Sequence, residues 1–249
     1  MGLLGALKKG LVSITKGAIK LVETTCEVCE EAFHRGREKC KEVREKIDNW
    51  VKDLKDKKDK TTDPVPPEIK DYYKPKIEEA KRNLTSRFPS GIETVCNETT
   101  PEERKDIILG VANDAIKILG IKNQPDIVAK YPEDEASLWT SYGSYNFKEN
   151  RLELNLAMIV TEEPSLFQEQ ISTVFHELIH ARQFMAIEAW CQGKSVDEYG
   201  YSEEYVKLLA YNIQNYISPK ENFEAYTKQP LEAEAYWFEQ QLGLTHLNK

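Results

Sequence analysis

The sequence has few histidines, no long apolar run and no excess of basic residues. Four of its 249 residues are histidine, at positions 34, 176, 180 and 246. Lysines interrupt the apolar N-terminal stretch, which excludes a bilayer-spanning helix and a Sec-type signal peptide there. We therefore expect a cytoplasmic protein, or one exported without a Sec signal. The net charge of −8 makes nucleic acid an unexpected partner, because neutralising phosphates requires surplus lysine and arginine.

The charge is divided unevenly along the chain. Residues 1–60 carry 15 basic and 11 acidic side chains, a net charge of +4, and residues 61–249 carry 19 and 31, a net charge of −12. Prolines at positions 64, 66 and 67 lie between the two parts and disfavour a continuous helix. We predict a basic amphipathic helical segment over residues 1–60, a proline-rich linker over 61–68 and a folded domain over 69–249.

The cysteines of the N-terminal segment allow two interpretations. Cys26, Cys29, His34 and Cys40 have a spacing close to that of a zinc knuckle, which would bind nucleic acid. The three cysteines also lie on an apolar stripe with alternating steps of three and four residues, which is typical of a coiled coil, and His34 does not. We favour the second interpretation, in which the cysteines are part of the apolar face of a helix. Such a segment would contact a partner helix or lie on a membrane surface.

Residues 69–249 contain patterns for both helices and strands. Helices are predicted over residues 69–88, over 101–119 behind a capping box at Thr100, and from Pro164 to about residue 190. A strand is predicted within residues 121–129, and a hairpin is predicted from residues 137–145 and 151–156. The fold class expected is α+β, with a mainly helical domain and a small antiparallel sheet beside the last of these helices.

The helix that begins at Pro164 contains an H-E-x-x-H motif, from His176 to His180. The four-residue step places both imidazoles on one side of the helix about one turn apart, where they can bind one zinc ion. Glu177 lies next to the first histidine. Its carboxylate is positioned to take a proton from the water that zinc activates, so we assign Glu177 the catalytic role.

A zinc site of this kind needs a third protein ligand. An extended motif with a third histidine is excluded, because residue 183 is glutamine and residue 186 is alanine. A second helix is predicted from Pro230, and it carries Glu232 and Glu234. The small Ala235, about one turn after Glu232, allows close helix packing. We choose Glu232 as the third ligand and keep Glu234 as the alternative.

From residue 137 to residue 240 the chain resembles the zincin metallopeptidases, and among them the gluzincin-like members. In that group a strand pair precedes the H-E-x-x-H helix, and a later helix bears the glutamate ligand. Tyr142, Gly143, Ser144 and Tyr145 resemble its substrate-binding edge strand. Residue Tyr236 departs from the pattern, since many members have an aspartate there that orients a zinc-bound histidine.

The resemblance implies a zinc-dependent peptidase that binds an extended peptide or protein substrate antiparallel to the edge strand. The layout is most similar to bacterial and phage H-E-x-x-H proteins, including the peptidase domains of toxins and effectors. Tyr226, Tyr236 and His246 are candidates for stabilising the oxyanion. Two alternatives stay open: an inactive zincin-like scaffold, and a membrane-associated interaction protein that acts through its N-terminal helices.

Overall fold

The computed structural model describes residues 64–132 and 142–244, and its fold class is α+β, as predicted. The helices of these residues are α1 (Pro67–Arg87), α2 (Ile92–Glu98), α3 (Pro101–Leu119), α4 (Leu156–Ile159), α5 (Pro164–Cys191), α6 (Glu203–Gln214), α7 (Phe223–Lys228) and α8 (Pro230–Leu242). The strands are β1 (Asp126–Lys130), β2 (Gly143–Asn146) and β3 (Arg151–Asn155). A short 3-10 helix covers Asp197–Tyr199.

The described chain forms two compact units. One contains residues 67–132, 142–185 and 234–244, and the other contains residues 64–66 and 186–233. The predicted N-terminal segment, with its cysteines and any membrane or helical partner, lies outside the described residues, as do the first three residues of the predicted linker. Within the described part of the chain, no helix is both long and apolar enough to cross a bilayer.

Helix α3 shows how local sequence sets a helix boundary. The Thr100 side chain accepts a hydrogen bond from the Glu103 N–H, and the Glu103 carboxylate accepts one from the Thr100 N–H at 2.7 Å. The Thr100 N–H and the Thr100 hydroxyl both donate to the Glu103 carboxylate, and these two hydrogen bonds lower the pKa of Glu103 because they stabilise its charged form. The helix ends at Gly120, whose φ of 70° is a left-handed conformation that glycine adopts without strain. The capping box and the helix end are as predicted.

The sheet is mixed, so the prediction of an antiparallel sheet was wrong. Its strand order is β1-β3-β2. β2 pairs antiparallel with β3, as the predicted hairpin requires, and β1 pairs parallel with β3, with Asp126 opposite Arg151. Side-chain alternation identifies a strand but does not fix its direction, which for β1 depends on the course of a long connection. Residues 137–141 of the predicted hairpin lie outside the described residues.

Helix α5 forms much of the core of its unit. The apolar residues that recur at helical spacing along it form one face, and this face is buried: Phe167, Ile171, Val174, Phe175, Leu178 and Met185. Phe175 stacks on Phe238 of α8 with ring centroids 6.0 Å apart, and Tyr73 of α1 packs edge-on against the same ring at 5.2 Å. These aromatic contacts fix α5, α8 and α1 against one another within this unit.

Candidate metal centre

The two histidines of the H-E-x-x-H motif lie side by side on α5. Their ring centroids are 4.9 Å apart, with the ring planes at 81° to each other. His176 is only 8% exposed. Glu177, the predicted catalytic residue, is half-buried on the same helix. The helical period therefore produces the paired imidazoles that the sequence predicted.

Glu232, in the first turn of α8, joins the two histidines. One ligand atom from each of His176, His180 and Glu232 lies within 4.8 Å of the others, and this group can hold a metal ion. Glu232 is 3% exposed. Residues two apart on a helix point about 200° away from each other, so Glu234 faces different neighbours from Glu232.

A carboxylate on α8 orients His176. Its Nδ1 lies 3.1 Å from Oε2 of Glu239, and Oε1 of Glu239 accepts a hydrogen bond from the Ser172 hydroxyl at 2.6 Å. All three side chains are buried. Glu239 is therefore the buried carboxylate that holds the His176 ring in place. Tyr236 itself packs edge-on against the His176 ring, with centroids 4.8 Å apart.

His180 is oriented through an amide. Its Nδ1 lies 2.8 Å from Oε1 of Gln183, and Nε2 of Gln183 donates to Oε2 of Glu234 at 3.1 Å. The Tyr73 hydroxyl donates to Oε1 of Glu234 at 2.8 Å. Gln183, Glu234 and Tyr73 are fully buried. Glu234, the alternative ligand in the sequence, therefore contacts the ligand histidine only indirectly.

Glu232 is also held in place by a hydrogen bond. The Tyr216 hydroxyl donates to its Oε1 at 2.7 Å, and the Tyr216 ring contacts Tyr226 with centroids 6.0 Å apart. Of the three oxyanion candidates, Tyr236 contacts a ligand histidine and Tyr226 lies one ring further from Glu232. His246 lies outside the described residues. Tyr216 was not predicted, because one tyrosine among 12 carries no signal in the sequence.

Strand β2 runs beside the part of α5 that carries the motif. At one end Gly143 approaches Thr173 so closely that a Cβ atom would lie 3.0 Å from the threonine methyl. At the other end Phe147, just after β2, stacks on Phe184 of α5 with centroids 4.4 Å apart. The motif lies between these two contacts along α5, so the strand passes the histidine pair.

Among the described residues β2 is an edge of the sheet. The Asn155 N–H donates to the Tyr142 carbonyl at 3.0 Å, and backbone pairing alternates along an antiparallel ladder. The backbone groups of Ser144 therefore point towards β3, and those of Gly143 and Tyr145 point away from it. Burial and the nearby charge of Glu169 raise the pKa of the Tyr142 phenol.

The donor set suits a divalent metal ion. Because Nδ1 of each histidine faces an oxygen acceptor, Nε2 is the nitrogen that presents a lone pair to a metal. Two imidazoles and one carboxylate form a ligand set typical of catalytic zinc sites. Ligand atoms around tetrahedral zinc lie about 3.4 Å apart, so a small side-chain movement from the present spacing would close the set.

The residues that sequence reasoning missed are Ser172, Gln183, Tyr216 and Glu239. Each is joined to the site by a hydrogen bond, and only Gln183 lies in the same helical turn as its partner, three residues after His180. This spacing could have predicted the contact, because side chains three residues apart on a helix are neighbours. Comparison of the chain with protein-family models, with curated proteins and with solved structures finds no match in any of the three, so its function must be inferred from the site itself.

Proposed function

We propose that this protein is a zinc-dependent metallopeptidase that hydrolyses peptide bonds of a peptide or protein substrate. The observation that carries the proposal is the clustering of His176, His180 and Glu232 around one point, with Glu177 adjacent in the motif. His176, His180 and Glu232 would hold the ion. Bound zinc supplies a Lewis acid that activates water and polarises a carbonyl group.

Glu177 is the residue that moves the proton. Its carboxylate accepts a proton from the attacking water and then transfers it to the nitrogen of the leaving amine, so that the peptide C–N bond breaks to give an acid and an amine. Glu177 follows His176 directly and is half-buried. Glu177 therefore follows a proposed ligand in the chain and retains access to water.

Strand β2 supplies the surface for the substrate backbone. Because Gly143 and Tyr145 direct their backbone groups away from β3, an extended peptide can add to this edge by β-strand pairing. A Cβ atom at Gly143 would lie 2.9 Å from the Glu153 carbonyl oxygen and 3.0 Å from the Thr173 methyl, so at this residue the strand lies close to the motif helix. This arrangement brings a peptide backbone past the histidine pair.

The proposal is tested with the full chain loaded with zinc and a mixed peptide library. We expect hydrolysis by the wild type, and a reduction of kcat/KM by about 10²–10⁴ in Glu177→Gln with zinc content unchanged, because only the proton carrier is removed. Glu188→Gln is the matched control: Glu188 lies on the same helix, is exposed, and bonds to Gln192. Full activity in Glu177→Gln would overturn the proposal.

A further inference from the structure

Two carboxylates of α8 that are not ligands are buried beside the metal centre. Glu239 contacts His176 directly, whereas Glu234 is connected to His180 through the side-chain amide of Gln183. Glu234 and Gln183 are both 0% exposed. Burying a carboxylate is unfavourable unless it receives hydrogen bonds, and Glu234 receives them from Tyr73 and Gln183. The position of these donors determines what Glu234 does.

The amide of Gln183 can face its neighbours in two ways, because its oxygen accepts hydrogen bonds and its nitrogen donates them. A carboxylate only accepts. Glu234 therefore selects the orientation in which Nε2 of Gln183 faces it, at 3.1 Å. In this orientation Oε1 faces Nδ1 of His180, at 2.8 Å.

The orientation of the amide then decides where His180 carries its proton. An acceptor oxygen at Nδ1 requires a proton on Nδ1, which leaves the lone pair on Nε2. With the amide reversed, its NH₂ group would face Nδ1, and the proton would lie on Nε2, where it blocks metal binding. The carboxylate of Glu234 thus excludes the form of His180 that cannot bind the ion.

We propose that Glu234 is a positioning residue, which acts through Gln183 to hold His180 in the tautomer that binds metal. The inference rests on the metal site of the proposed function, and not on the hydrolysis of any substrate. It assigns different roles to the two glutamates that the sequence left as alternatives. Glu232 is a ligand, and Glu234 sets the direction of the hydrogen bond between Gln183 and the ligand His180.

The first test needs no metal. Nitrogen NMR of the histidine rings in the metal-free full chain identifies the protonated nitrogen of His180, with His180→Asn used for assignment. We expect the proton on Nδ1 in the wild type and a mixture of both tautomers in Glu234→Gln, since a neutral amide at position 234 accepts either orientation of Gln183. A wild-type His180 protonated on Nε2 overturns the proposal, whether or not any variant folds.

The second test measures zinc affinity of the full chain by competition with a chelator. We expect Glu234→Gln to weaken binding by about tenfold, which is the usual effect of removing a partner behind a metal ligand. Gln183→Met should weaken it equally, and the double variant should lose no more than either single one, because Glu234 acts only through Gln183. Effects that multiply in the double variant would contradict the proposal, as would unchanged affinity in Glu234→Gln.

Tyr73→Phe separates positioning from general packing. It removes a donor to Glu234 at the same buried place but leaves the carboxylate that orients Gln183. We expect zinc affinity to change by less than about threefold, although the protein loses a buried hydrogen bond. A loss as large as that of Glu234→Gln would mean that any disturbance of this core weakens binding, and it would overturn the inference. A wild type that binds zinc but cleaves no peptide would refute only the proposed function.

Discussion

Arg104 and the metal centre are two buried polar clusters whose hydrogen bonds have different roles. Arg104 is 2% exposed, and its guanidinium donates to the carbonyls of Cys96 at 2.9 Å, Thr99 at 2.5 Å and Val160 at 2.8 Å. These carbonyls lie at the C-terminal ends of α2 and α4, where helix carbonyls lack partners within the helix. The guanidinium therefore supplies hydrogen-bond donors to the C-terminal ends of two helices.

The metal centre also contains several buried polar groups, but their hydrogen bonds join side chains to other side chains. Glu239 and Gln183 contact the histidines at Nδ1, which directs the remaining lone pairs to a common point near Glu232. Burial of polar residues does not by itself distinguish the two clusters. The difference is that the hydrogen bonds of Arg104 end on the backbone of the protein, whereas those of the metal centre prepare ligand atoms for an ion.

Replacing Arg104 should have the largest effect on folding and none on metal binding. We expect Arg104→Met to lower the free energy of unfolding by about 3–5 kcal/mol, because one buried and two part-buried carbonyls lose a charged donor. Urea denaturation measures this loss, and chelator competition under conditions where the variant is folded should give the wild-type zinc affinity. A variant that is folded but binds zinc weakly would show that the two clusters are coupled.

Removing a ligand should produce the opposite result. We expect Glu232→Ala to weaken zinc binding by about 100-fold or more, beyond what loss of a supporting hydrogen bond causes. The metal-free variant should unfold within about 1 kcal/mol of the wild type, because the cost of burying the carboxylate is removed together with its hydrogen bond from Tyr216. Wild-type zinc content in Glu232→Ala would remove Glu232 from the ligand set.

Replacing a residue that contacts a ligand side chain should also weaken zinc binding, but by a smaller factor. Glu239→Gln keeps an oxygen acceptor for His176 but removes the negative charge and offers Ser172 a choice of partners. We expect zinc affinity to fall by about tenfold. Isothermal titration of the variant beside Ser172→Ala measures it, and the serine variant should lose less because it leaves the contact of Glu239 with His176 intact.

An ion pair nearer the surface gives the smallest effect and a dependence on pH. Oδ2 of Asp114 lies 2.5 Å from Nη2 of Arg87, with the side chains 24% and 29% exposed. Burial alone would raise the pKa of Asp114, but hydrogen bonds from Arg87 and Asn83 and the charges of Arg87 and Lys117 outweigh it, so the pKa is lowered. Because the folded pKa lies below that of the unfolded chain, the pair stabilises the protein above about pH 4 and loses its effect as pH falls through the folded value.

Asp114→Asn tests this directly. We expect a loss of about 1 kcal/mol in the free energy of unfolding at pH 6 and no difference from the wild type once Asp114 is protonated in both states. Denaturation curves across the acid range measure the difference. An equal loss at every pH would indicate a packing effect of the substitution.

Sequence reasoning succeeded where a signal is local and repeated. The capping box at Thr100 and the glycine at 120 set both ends of α3, and the apolar spacing after Pro164 defined the buried face of α5. Helices α2, α4 and α7 were not predicted, because each has too few turns for a helical period to be recognised. Helix α6 was missed although Gly200 and the N-cap residue Ser202 precede it. The direction of β1 depends on a long connection, which no local pattern encodes.

The sequence by itself determined the paired imidazoles of His176 and His180 and the adjacent Glu177, because the four-residue step of a helix is a property of the local chain. Only the tertiary structure decided between Glu232 and Glu234. Both glutamates are in the same helix and have similar neighbours in the sequence, and their roles differ because each faces a different set of side chains. The partners Glu239, Gln183 and Tyr216 were likewise fixed by packing, since a hydrogen bond forms where folding brings donor and acceptor together.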